Sequence, residues 1–243
     1  MSQNSMSSPS DALCVIEAIR QRLLVVADNP PYRYLNTSSK DRAAYETQRR
    51  TFTGYTDEEI AAVESSLGVR LPAVYRAYLQ LMDLSHGDLF CGSNLAFIDE
   101  YEELRQFAEE LLEENDVDGH LQQKAVVFFE HQGYSFCYFI ASGGFDTPIY
   151  QYVEGRQSIE QAFSGFAEMI DSEVTSIEKS NQDFLEYGGY FLTVENGSVS
   201  QQYPARASGI RPLELPEQGG KSLMGLFDRV LVWLSKLLRW GRL

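Results

Sequence analysis

Residues 56–82 read Thr-Asp-Glu-Glu-Ile-Ala-Ala-Val-Glu-Ser-Ser-Leu-Gly-Val-Arg-Leu-Pro-Ala-Val-Tyr-Arg-Ala-Tyr-Leu-Gln-Leu-Met. Two helices are written here with their starts and stops. Thr56 is placed to cap the first, and Glu59, three residues on, closes a capping box. Tyr55 and Ile60 stand where a hydrophobic staple would. Ile60, Val63 and Leu67 share a face at helical spacing. Gly68 suits the left-handed residue after a helix, since it has no Cβ to clash. Pro72 suits the first turn of a second helix, where no N–H is needed. Tyr75, Tyr78, Leu79 and Met82 form that helix's apolar face. The stretch predicts a helical corner and holds nothing catalytic.

Working outward, the apolar positions Leu13, Ile16, Ile19, Leu23 and Val26 predict a helix over 11–26, stopped by Asn29-Pro30-Pro31. A short helix is expected around 40–49, and a short strand over 95–98. Asp99 is placed to cap a helix over 100–114 that buries Tyr101, Leu104, Ala108, Leu111 and Leu112. The other face of that helix carries Glu102, Glu103, Glu109, Glu110, Glu113 and Glu114, with Arg105 the only basic residue among them. Like charges at i,i+4 repel by about 0.2–0.5 kcal/mol per pair. Water tolerates this, and a basic partner would relieve it, so these six glutamates are the candidate partner-binding residues.

Beyond residue 120 the pattern turns to strands. Residues 125–130, 134–140 and 149–153 are β-rich runs joined by His131-Gln132-Gly133 and Ser142-Gly143-Gly144, which predicts an antiparallel meander. Ser158 and Gln161 read as another capping box, opening a helix with Ile159, Ala162, Phe163, Phe166, Met169 and Ile170 on one stripe. Residues 190–203 read as a hairpin turning at Asn196-Gly197 in a type I′ turn.

Pro204, Pro212, Pro216 and Gly219-Gly220 mark a linker. The stretch 221–243 then carries five basic residues against Asp228 alone, a charge of +4 that leaves −19 on the rest of a chain whose net charge is −15. Leu226, Phe227, Val230, Leu234 and Leu237 lie on one apolar stripe, with Trp233 and Trp240 at its border. Such a helix fits either a membrane surface or docking onto protein, and these seven are the candidate docking residues.

The expected architecture is α+β: a largely antiparallel sheet flanked by helices over 11–175, then an extension over 176–243 of hairpin, linker and amphipathic helix. At 243 residues and 44% hydrophobic composition the chain can bury a full core. The pI of about 4.6 argues against a nucleic-acid partner, because phosphates need a basic surface, and favours a basic protein. Three scattered cysteines (Cys14, Cys91, Cys137) and an N-terminus without signal-peptide features predict a cytoplasmic protein, with 221–243 able to touch the inner face of the membrane.

None of His86, His120 and His131 pairs with another at His-x-x-x-His spacing, and Cys91 and Cys137 form no Cys-x-x-Cys pair. A zinc site would have to assemble across strands from His86, Cys91, His131 and Cys137, and no serine lies in a nucleophile elbow. The expectation is therefore no enzyme, no catalytic residue, no metal and no cofactor.

The ordered set of motifs resembles the SUKH superfamily over roughly residues 55–171. It comprises the helix at 57–67, Leu71-Pro72 with Tyr75 and Leu79, the turn His86-Gly87-Asp88, Gly133 between two strands, Pro148-Ile149-Tyr150, and Ala162-Phe163-Ser164-Gly165-Phe166. The resemblance implies an α+β fold and a non-enzymatic role. Many bacterial members are immunity proteins that neutralise polymorphic toxins, often nucleases or deaminases, and fungal members are cell-wall regulators. It implies for this chain a basic toxin as partner; the alternative is a membrane-peripheral or scaffold adaptor that uses 221–243.

Overall fold

The computed structural model describes residues 8–90, 93–117 and 121–203. The expectations for Cys91, His120 and the stretch 221–243 lie outside the described residues.

Helix α1 (Pro9–Asp28) opens with a capping box between Ser8 and Asp11. It buries Ala12, Ile16, Ile19, Leu23 and Val26, while Leu13 is 39% exposed; Ala12 takes the core position expected of Leu13. Strand β1 (Tyr32–Tyr34), helix α2 (Ser39–Arg50) and strand β2 (Phe52–Thr53) follow.

The helical corner then stands as its residues require. Helix α3 (Asp57–Leu67) begins with the Glu59 amide donating to Thr56 Oγ1 (3.3 Å) and the Thr56 amide donating to Glu59 Oε2 (2.8 Å). Gly68 ends it at φ 63°, a backbone state that glycine reaches without a Cβ penalty. Helix α4 (Ala73–Leu81) follows with Pro72 as its N-cap rather than inside its first turn. The free amides of Ala73 and Val74 are taken by the carbonyls of Gly144 and Phe145 (2.9 and 3.0 Å), so a distant turn caps this helix.

After β3 (Ser85–His86) and β4 (Asn94–Leu95) comes α5 (Tyr101–Glu114), followed by β5 (Ala125–His131), β6 (Ser135–Ile140), β7 (Ile149–Val153) and β8 (Glu160–Phe163). The main sheet is antiparallel in the order β4-β5-β6-β7-β8. The expected meander is its centre. The core lies between the sheet and the helices, around Tyr75: its ring meets Phe139 at 4.8 Å, Phe166 at 4.9 Å and Phe128 at 5.4 Å. Aromatic pairs in such tilted and edge-on geometry add to the energy of simple burial.

The expected capping box at Ser158 is not formed. Residues 160–163 are an edge strand paired with β7, and α6 (Phe166–Glu186) starts later. The reason is Asp146, whose carboxylate accepts from the amides of Phe166 (2.8 Å) and Ala167 (3.0 Å) and so caps α6 from a distant loop. Gly165 permits this approach, since a Cβ there would stand 2.3 Å from Asp146 Oδ2. The start of α5 also differs. Its N-cap is Glu100, not Asp99, and the preceding strand is only Asn94–Leu95.

Helix α6 continues unbroken to Glu186 through residues 175 and 176. Arg22 of α1 holds it by bonds to Asp171 (2.5 Å), Thr175 (2.9 Å) and Glu178 (2.7 and 2.8 Å). The hairpin β9 (Tyr190–Glu195) and β10 (Ser198–Gln202) turns at Asn196 and Gly197, both at positive φ. Sequence reasoning missed its third strand: β1 pairs with β9 in parallel, Tyr32 opposite Tyr190, over a small core of Tyr32, Leu192, Val194 and Val199.

Candidate functional site: the acidic face of α5

Helix α5 forms because its apolar residues recur on one stripe. Tyr101, Leu104, Ala108, Leu111 and Leu112 are buried, and the helix packs on β5. The Tyr101 hydroxyl shares a 2.8 Å hydrogen bond with that of Tyr75, which ties the helix start to the aromatic core. The opposite face is left to solvent. Glu102, Glu103, Glu110, Glu113 and Glu114 are exposed, and Glu109 is half-buried.

The one basic residue of the helix does not neutralise this face. Arg105 pairs with Glu109 at 3.0 Å. Its guanidinium also donates to the carbonyls of Leu121 (3.0 Å), Gln122 (3.1 Å) and Ala125 (3.0 Å), which tacks the loop before β5 onto the helix. Among the described residues Glu109 is thus set apart from the other five by its ion pair, while Glu110 accepts a hydrogen bond from the Gln106 side-chain amide (2.8 Å).

The placement of charge along the helix is unfavourable to the free protein. Helix C-termini carry partial negative charge and favour cations. The last turn of α5 holds Glu113 and Glu114 and no basic residue, and the exposed Asp116 follows at φ 52°. A surface that carries such charge against its own helix dipole suits an opposite charge brought by a partner.

Other candidate chemistry is set apart from this face. His131 is buried, with Nδ1 3.2 Å from Ser93 Oγ, and His86 lies in β3. Cys137 is buried in β6, where burial pushes its thiol well above the ordinary range; Cys14 lies on the exposed side of α1. Among the described residues no group of three or more His, Cys, Asp or Glu could hold a metal ion. No helix among the described residues is long and apolar enough to cross a membrane.

Two buried polar features escaped sequence reasoning. Arg49 of α2 is 6% exposed and grips Asp88 in the turn after β3. Asp83, at the end of α4, is 4% exposed. Burial pushes its carboxyl up to about 8; the Tyr78 hydroxyl pulls it down, and the negative charge of Glu100 pushes it further up. Neither feature has a periodic signal: each joins residues whose proximity only the fold creates.

The class these observations define is an α+β domain with a helix-flanked antiparallel sheet. Residues 54–172, from just before α3 into α6, match the model of the SMI1 / KNR4 family (SUKH-1), so the chain carries a domain of the SUKH superfamily there. No curated protein matches the chain. The family match supports the coarse reading that the resemblance implied, an immunity-type or cell-wall-regulatory role exercised through protein partners and generally without catalysis. The acidic helix α5 lies inside the matched segment.

Proposed function

We propose that this protein is a non-enzymatic, protein-binding immunity protein that neutralises a cognate toxin of the nuclease or deaminase class by covering a basic toxin surface with the acidic face of α5. The observation that carries this reading is the set of five exposed glutamates on one helix of the SUKH domain, on a chain of net charge −15. Nucleases and deaminases that act on nucleic acid need basic surfaces to hold phosphates. An acidic face competes for the same ground, and opposite fields speed the encounter.

The test is capture followed by rescue. The 243-residue chain is used as bait in lysate of the source organism, beside a variant with Glu109, Glu110, Glu113 and Glu114 changed to Gln. A basic protein retained near one-to-one by the first and depleted by the second is then expressed in a heterologous host. Growth arrest relieved by co-expression of this chain supports the reading. Capture of acidic or membrane components alone, or arrest that persists, contradicts it.

A further inference from the structure

The acidic face explains attraction but offers no apolar centre, and stable interfaces concentrate their energy in a few buried anchors ringed by polar contacts. A cleft of about 240 Å³ lies at the N-terminal end of α5, between that helix, the α3–α4 corner and β5. Leu67, Val69, Tyr101, Ala125 and Val126 make its apolar lining; Leu67 and Val69 are half-buried, the others buried. Glu102, Arg105 and Gln123 form its polar border. Its volume falls below the range of roughly 300–1,000 Å³ usual for small-molecule sites, and matches one large side chain better than a cofactor.

The border is continuous with the acidic face. Glu102, Glu109 and Glu113 follow one another along the flank of α5 that carries Arg105, at steps of seven and four residues, with Arg105 four residues before Glu109. Arg105 presents no free charge at the border, because Glu109 and three carbonyls hold its guanidinium. A chain segment laid along this flank with its basic side chains on the glutamates would thus bring a neighbouring apolar side chain over the cleft.

We propose that the cleft is the anchor pocket of the partner interface and takes one large apolar side chain, flanked by lysine or arginine, from the basic protein partner. This rests on the function proposed above and names the feature of the partner that the site recognises. Charge complementarity selects the flanking residues, and the apolar lining selects the anchor.

The test titrates the full chain with two peptides, acetyl-Lys-Trp-Lys-amide and acetyl-Lys-Ala-Lys-amide, following backbone amides by ¹H–¹⁵N NMR. The tryptophan peptide is expected to shift the amides of Leu67, Val69 and Val126 and to bind about tenfold more tightly than the alanine peptide. Gln123→Trp, at an exposed border position, is expected to cover the cleft and abolish that difference. Equal binding of both peptides along α5, with no response at the cleft, overturns the anchor and leaves the acidic-surface reading standing. No response of α5 to either peptide removes both. Cleft amides that already change when the chain is ended at Gly220 identify residues 221–243 as the occupant, which also overturns the proposal.

Discussion

Arg49 and Asp88 join two parts of the chain that the family match separates. Arg49 lies on α2, outside the matched residues, and Asp88 lies in the turn after β3, inside them. Nε and Nη2 of Arg49 donate to Asp88 Oδ2 at 2.9 and 2.5 Å, and Nη1 donates to the Tyr32 hydroxyl at 2.6 Å. Burial works against the Arg49 charge, but the Asp88 carboxylate outweighs it and keeps the guanidinium protonated. Since Tyr32 belongs to the β1-β9-β10 sheet, one side chain ties that sheet, α2 and the matched domain together. Gly87 fits beneath, where a Cβ would stand 2.9 Å from the Arg49 carbonyl oxygen.

Removing one member of this pair strands the other. Asp88→Asn is expected to destabilise the protein by about 2–4 kcal/mol, because an unpaired buried charge costs more than a surface bridge returns. Urea unfolding measures it, and a midpoint unchanged from the wild type would show that the pair is not a clasp.

Asp83 predicts a pH dependence of definite sign. Its folded-state pKa, about 8, lies above the ordinary carboxylate value of 3.8. Its contribution to stability is therefore fully present below about pH 4 and is lost as pH rises toward 8. Asp83→Asn removes the titration. The variant is expected to gain on the wild type by at least about 1 kcal/mol between pH 5 and pH 9 in matched urea melts. Parallel pH profiles of the two proteins would refute this account of the site.

Asp146 replaces the cap that sequence placed at Ser158. Asp146→Ala is expected to cost about 1–2 kcal/mol, as loss of an N-cap does, and to raise amide exchange at Phe166 and Ala167. Ser158→Ala is expected to leave stability within about 0.5 kcal/mol of the wild type. Equal effects of the two substitutions would contradict the observed start of α6.

What the sequence shows and hides follows from locality. The corner at 56–82, the buried stripe of α5 and the Asn196-Gly197 turn are set by residues a few positions apart, so spacing reveals them. The capping of α6 by Asp146, the pairing of β1 with β9, and the Arg49–Asp88 clasp each join residues tens of positions apart or more. Ser158 misled because Ser-x-x-Gln also fits an edge strand once a neighbouring strand offers its backbone. The six glutamates were legible as a face, but the consumption of Arg105 by Glu109 and the loop carbonyls, and the cleft beside them, appear only when β5 is laid against the helix.

The most direct test of the central claim is the association rate of the captured basic partner, measured by stopped flow against the wild type and against the Glu109, Glu110, Glu113 and Glu114 to Gln variant, at low and high salt. The account predicts that the variant associates about tenfold or more slowly at low salt and that its rate depends less on ionic strength. An association rate and salt dependence equal to those of the wild type, with both proteins folded, would contradict it.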